Sequence, residues 1–258
     1  MLIRRNQANL FIPPNIGTLV GAKPLFSPDD VSGLIVWCAA RLETGYVDDD
    51  PVGTWTDQSG NNLHAGASGT TRPLYKTNVL NGLAVLRFDA DDYMSIGSIN
   101  LTGTDAVSVF GVYSAPSGGD RVFYEFSDNV NSYTDSFLCY RTAGNAPTAL
   151  VKGDVGYCTT TSARTLTTTH RIVTYVFDKS LSSNESAVYV DSVGGAACAT
   201  NNTNAFGTRT SFIAARGGAS LFLNGDIAEF LFYNRAVTAG ERGQIETYLS
   251  SLYGITLA

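Results

Sequence analysis

From Gly33 onward, short apolar runs alternate with clusters of Gly, Asn, Asp and Ser, the rhythm of an antiparallel sandwich. The pattern predicts strands over residues 34–39, 83–89, 93–96, 107–114, 121–126, 136–140, 171–177, 186–191, 211–215 and 226–233. Turn chemistry separates them, as at Asn81-Gly82, Ser117-Gly118-Gly119-Asp120 and Asn224-Gly225, where Gly and Asn tolerate the positive φ that tight turns require. Within a strand the period is two. Val173, Tyr175 and Phe177 share one face, and Ile172, Thr174 and Val176 share the other. Both faces are largely apolar, so the outer one should be covered by loops, by an N-terminal arm or by a partner. Alternating βα units are absent, which argues against a parallel doubly wound sheet.

One helix is expected, at the end of the chain. Thr238 and Glu241 have the spacing of a capping box, Ile245, Tyr248, Leu249 and Leu252 follow as one apolar stripe, and Gly254 supplies a left-handed stop. Residues 1–26 stand apart as an extended arm, with Leu10, Phe11, Ile12, Ile16, Leu19 and Val20 on a strip interrupted by Pro13, Pro14 and Pro24. The expected organisation is therefore an arm over residues 1–26 and an all-β, antiparallel jelly-roll β-sandwich over residues 27–258, ending in one C-terminal α-helix over residues 239–253.

Composition refines this picture in two ways. At 258 residues and 44% hydrophobic content the chain is long and apolar enough to bury a single core. Charged residues are only 16%, and the formal charge of −6 is uneven: Arg4, Arg5 and Lys23 are the ionised groups of residues 1–25, leaving −9 on the remainder. An acidic body without a basic patch argues against a nucleic-acid partner. No apolar run approaches 18 residues, so no membrane insertion is expected, and the start lacks the apolar core of a secretion signal. Cys38, Cys139, Cys158 and Cys198 lack the close spacing of a zinc site or redox dithiol. Buried free thiols are the expectation, with one or two disulfides as the alternative and Cys139 with Cys158 the first pair to test.

Several segments together resemble the concanavalin-A-like lectin/glucanase superfamily, in particular the laminin-G-like jelly-roll modules of phage virion proteins. They are Gly33-Leu34-Ile35-Val36-Trp37, the stretch from Trp55 to Asn61, Asn81 to Asp89 with Asp92-Tyr93, and Asn224 to Ala236 with the helix after it. The resemblance covers residue 30 to the end. It implies the fold; the superfamily holds lectins, hydrolases and structural modules on one scaffold.

Hydrolysis is poorly supported. Retaining members carry a Glu-x-Asp-x-x-Glu pattern, since retention needs a nucleophilic carboxylate about 5 Å from an acid/base carboxyl. The nearest register here is Asn224, Asp226 and Glu229, with an amide at the nucleophile's place. Asp226 and Glu229 are then expected to bond within turns and strand ends. Glu125 and Asp128 offer two carboxyls without a third orienting group, and His64 and His170 have no neighbouring nucleophile motif. No enzyme, no catalytic residue and no cofactor is expected. Asp48-Asp49-Asp50 and Asp89, Asp91 and Asp92 are the candidate positions for a structural calcium, though neither cluster alone supplies six to eight oxygens.

A saccharide face needs an aromatic platform beside amide and carboxylate groups, and Tyr46, Trp55, Tyr75, Tyr133 and Tyr157 fall in or near expected loops, whereas Trp37 is expected in the core. Two functions follow. The first is a virion structural or decoration protein at the virion surface, joined to capsid or tail proteins and to copies of itself through Arg4, Arg5, Phe11 and Ile12. The second is an adhesion module that binds host-surface glycans; a glycan hydrolase is a distant third.

Overall fold

The computed structural model describes residues 26–89, 91–116 and 118–258. Arg4, Arg5, Phe11 and Ile12 of the expected arm lie outside the described residues. Sixteen strands follow in order: β1 (Leu34–Ala39), β2 (Thr54–Trp55), β3 (Ala65–Gly66), β4 (Leu74–Leu80), β5 (Leu83–Phe88), β6 (Met94–Asn100), β7 (Ala106–Tyr113), β8 (Arg121–Glu125), β9 (Ser136–Arg141), β10 (Pro147–Lys152), β11 (Tyr157–Thr161), β12 (Arg171–Asp178), β13 (Ser186–Val190), β14 (Val193–Ala196), β15 (Thr208–Ile213) and β16 (Gly225–Tyr233). The helix α1 (Ala239–Tyr253) closes the chain.

The strands form two antiparallel sheets. The first runs β14-β13-β12-β7-β16-β5-β4, with β1 also on β16; the second runs β11-β10-β9-β8-β15-β6-β3-β2. β16 organises the first sheet because one of its edges serves two partners: Gly225 to Ile227 pair with β5, and Glu229 to Tyr233 pair with β1. All but its first residue are buried, which explains why this stretch reads as a nearly unbroken apolar run.

The expected two-residue period sorts side chains into two cores. Val173, Tyr175 and Phe177 of β12 face inward with Val107, Val109, Phe230 and Phe232, against Phe123, Phe137, Cys139 and Val151 of the second sheet. On the other side of β12, Ile172 joins Phe110, Val112, Leu231, Ile245, Leu249 and Tyr253 in a second core beneath α1. The outer face of the first sheet is covered by α1, an element not among the loops, arm or partner anticipated for it. Burying Ile245 and Leu249 contributes about 1.5–3 kcal/mol each, enough to hold a helix that would be marginal alone.

The helix forms where expected. Thr238 Oγ1 accepts from the Glu241 amide at 3.2 Å, the Glu241 carboxylate accepts from the Thr238 amide at 2.8 Å, and Gly254 stops the helix at φ 66°. Its buried stripe differs from expectation: Ile245, Leu249 and Tyr253 are buried, while Tyr248 and Leu252 are only half-buried. Glu246 is buried too, because Thr174 and Ser192 donate to it and Arg242 pairs with it at 3.2 Å.

Two expectations about the core are corrected. The disulfide joins Cys158 to Cys198, leaving Cys38 and Cys139 as buried thiols. Cys139 cannot meet Cys158 because β10 lies between their strands, with Ala149 opposite Cys139 and Val151 opposite Cys158. Trp37 is half-buried on the helix side of β1, whereas Trp55, expected near a loop, is fully buried between the sheets.

Candidate functional site

The carboxylates of β16 do not make a hydrolytic pair. Glu229 is sealed under α1, where it accepts from Trp37 Nε1 at 2.7 Å, Tyr248 Oη at 3.1 Å and Tyr253 Oη at 2.7 Å, with Arg41 Nε 3.6 Å away. Burial pushes this carboxyl above its ordinary range, and Arg41 and the three donors pull it back. Asp226 sits at the other end of the strand, bound by Arg87 through two bonds of 2.7 and 2.9 Å. The expectation of turn and strand-end bonding therefore fits Asp226 but not Glu229, which anchors the helix. Glu125, fully buried, accepts from the Val130 amide and pairs with Arg216 at 3.2 Å; its pKa is raised by burial.

A polar cleft of about 290 Å³ opens where β5, β7 and β16 meet at one end of the sandwich. Arg87, Asp89, Ser114, Thr168, Asn224 and Asp226 line it, which brings together several residues singled out from the sequence. His170 backs it, with Nε2 3.8 Å from Asp226 Oδ2, buried and without a hydrogen-bond partner among the described residues. Burial lowers the pKa of this imidazole, partly offset by Asp226. Next to the cleft, carboxylate oxygens of Asp89, Asp91 and Asp92 lie within 4.8 Å of one another. Asp92 already accepts from the Asp89 amide, and its pKa is raised to about 6, chiefly by burial and then by its two acidic neighbours. At Asp48-Asp49-Asp50 the carboxylates are engaged: Asp48 and Asp49 by Lys76, Asp48 also by the Thr77 amide, and Asp50 by the Val47 amide. His64 has a structural part, accepting from the Asp57 amide at 3.0 Å.

The outer face of the second sheet has no α-helix over it among the described residues. Cross-strand partners share a face, so two rows can be followed: Tyr157, Lys152 and Ser136, then Thr159, Leu150 and Leu138. Leu138 packs with Val122 and Val130 in a small cluster apart from the main core, which identifies these rows as outward. The turn Val130–Ser132 crosses this face. Its Asn131 accepts from Tyr157 Oη at 3.1 Å through the side chain and from Lys152 Nζ through the backbone carbonyl. Lys152 Nζ lies 5.3 Å from the Tyr157 ring centroid, and Tyr157 remains 46% exposed. Two residues along the same turn, Tyr133 carries the Arg209 guanidinium over its ring at 3.8 Å, and Arg209 is paired to Asp135 at 2.7 Å.

Of the five aromatic residues expected to offer a platform, then, the fold gathers Tyr133 and Tyr157 near Asn131. Trp55 and Tyr75 are buried in the core, and Tyr46 stacks on Tyr75 at 5.7 Å. Sequence reasoning missed Asn131 and Lys152, which the register of β10 with β11 brings to Tyr157.

No known family profile and no curated protein matches the sequence. Solved structures do resemble the fold. The binding domain of botulinum neurotoxin DC, solved in complex with SialylT, has a TM-score of 0.59 at 10% identity, over 86% of this chain and 52% of its own. A Trypanosoma rangeli sialidase has a TM-score of 0.52 at 12% identity, over 88% of this chain and 34% of its own, and a further structure of that sialidase contains sialic acid. The chain spans about half the length of the first and a third of the second. At these identities the similarity establishes a shared β-sandwich.

Proposed function

We propose that this chain is a carbohydrate-binding module without hydrolytic activity, gripping its glycan on the outer face of the second sheet around Tyr157. One observation carries the reading: a half-exposed tyrosine ring stands beside an amide and an ammonium group on a sheet face that no α-helix covers among the described residues. An aromatic ring packs against the C–H face of a sugar, and the flanking polar groups fix its hydroxyls. Lys152 gives the face a cation suited to a carboxylated sugar. The two similar structures are glycan-associated, a toxin domain solved with SialylT and a sialidase, which supports this reading over a virion component.

The absence of hydrolysis rests on the placement of Asp226 and Glu229, one held by Arg87 and the other sealed beneath α1. A glycan array bearing sialylated and neutral oligosaccharides, probed with wild type and Tyr157→Ala, tests the proposal. Wild type should bind a subset of glycans, and the variant should lose about tenfold in affinity, near 1.4 kcal/mol. Equal binding by both proteins would reject this face. The virion reading, in which residues 1–26 dock on capsid, tail or sister subunits, makes a different demand: deleting residues 1–24 would abolish assembly and leave glycan binding intact.

A further inference from the structure

The exposed ring of Tyr157 stands at the foot of a hairpin tip, residues 153–156, and that tip is shaped by a distant part of the chain. Segment 197–207 follows β14 and has no regular structure of its own. Its Asn202 side chain, almost fully buried, accepts from the amides of Val155 and Gly156, both at 3.0 Å, and its Asn204 side chain accepts from the Asp154 amide at 3.0 Å. Thr203 donates to the Asp154 carboxylate through backbone and hydroxyl, which holds that carboxyl down at about 2. Thr200 donates to the carbonyl of Tyr157 itself at 2.7 Å. A side chain at Gly153 would meet Asn202 at 2.3 Å, so the two segments are in close contact.

The Cys158–Cys198 disulfide fastens this segment, with Cα atoms 5.5 Å apart. It bridges two sheet edges: β11 ends the second sheet, and Cys198 lies just beyond β14, which ends the first. Cys158 is buried and Cys198 half-buried, which makes Cys198 the more accessible residue of the pair. We infer that this disulfide is a redox control on the glycan face, its reduction releasing segment 197–207 and with it the hairpin that presents Tyr157. The consequence for affinity rests on the proposed glycan reading; the coupling between disulfide and hairpin does not.

The chemistry is thiol–disulfide exchange with a dithiol reductant. One thiolate attacks Cys198 Sγ and forms a mixed disulfide, expelling Cys158 as a thiolate that takes up a proton. The second thiol of the reductant then displaces Cys198, which is protonated in turn; two electrons and two protons pass to the pair, and the reductant leaves as a disulfide. Once the cross-link is gone, the segment is held without a covalent tie, by Asn202 on the buried Glu185, by Phe206 in the core and by its bonds to the hairpin. The stretch next to Cys198 then opens more often, because nothing covalent limits its excursions.

Hydrogen exchange on the full chain, with and without dithiothreitol, decides the matter, reduction being verified by mass. Amides of Asp154, Val155 and Gly156 should exchange at least tenfold faster after reduction, those of β7 and β12 should keep their rates, and reoxidation should restore protection. The double variant Cys158→Ser with Cys198→Ser should match the reduced protein. Unchanged exchange at the hairpin would overturn the proposal, as would loss of protection throughout β7 and β12, which would make the disulfide a staple of the whole fold. On the same array, the reduced protein should bind at least fivefold more weakly; equal binding despite a loosened hairpin would overturn control of affinity. Binding to no glycan in the oxidised state would overturn the glycan reading, while the exchange result still decides the coupling.

Discussion

Asp92 shows how a single buried carboxyl leaves a measurable trace. Its pKa rises from 3.8 to about 6 on folding, so between those values the folded chain holds a proton that the unfolded chain has lost. Stability contributed through this group is therefore greatest at low pH and falls as pH rises from about 4 to 6. Asp92→Asn removes the cost of the charge: it should stabilise the protein by about 1–2 kcal/mol at pH 7, after allowing for solvent screening, and change little at pH 4. Thermal melts of both proteins across pH 4 to 7 check this. Gly111 is a second residue with a narrow constraint. A Cβ there would lie 2.2 Å from Phe123 Cζ, and Phe123 cannot retreat because it stacks on Tyr113 at 4.2 Å. Gly111→Ala should cost about 3 kcal/mol, read from the urea midpoint, with no change in glycan specificity.

Among the elements, the ones with strong local signals were legible. Strand β12 alternates apolar residues over two cores, and the capping pair Thr238 and Glu241 with Gly254 bounds α1 where the sequence places it. Thr238→Ala should lower stability by about 1 kcal/mol, measurable by denaturant melts. Strands β10 and β11 escaped because their cues conflict with the pattern. β10 opens on Pro147, tolerated only because it is the first residue, and β11 is a Thr-rich edge with one inward cysteine and one inward threonine. Strand β4 is broken by Asn78 at φ 55°, and its register with β5 shifts between Lys76 and Leu80. The candidate face was half legible for the same reason: Tyr133 and Tyr157 stand out as loop aromatics, but only the β10–β11 register shows that Lys152 stands opposite Tyr157. Glu229 was misplaced because nothing local in β16 announces three donors arriving from β1 and α1.

Across the whole molecule, the two sheets are treated unequally. The first carries α1 and a buried polar layer of Glu229 and Glu246; the second has, among the described residues, only the Val130–Ser132 turn across β9 and β10, with Tyr157 exposed at one end and the disulfide-tied segment behind it. Glu229→Ala should therefore act on stability, costing about 3 kcal/mol by loosening α1, and leave glycan affinity unchanged in a titration at a temperature where the variant is folded. The polar cleft at Arg87 and Asp226 lies at the other end of the sandwich from Tyr157, so binding at one place can be told from binding at the other. Amide chemical-shift mapping during titration with an array-selected glycan is the most direct measurement. The glycan face predicts shifts at Asn131, Lys152, Tyr157 and Thr159 with an intact glycan recovered afterwards; shifts confined to Arg87, His170 and Asp226, or a cleaved glycan, would contradict it.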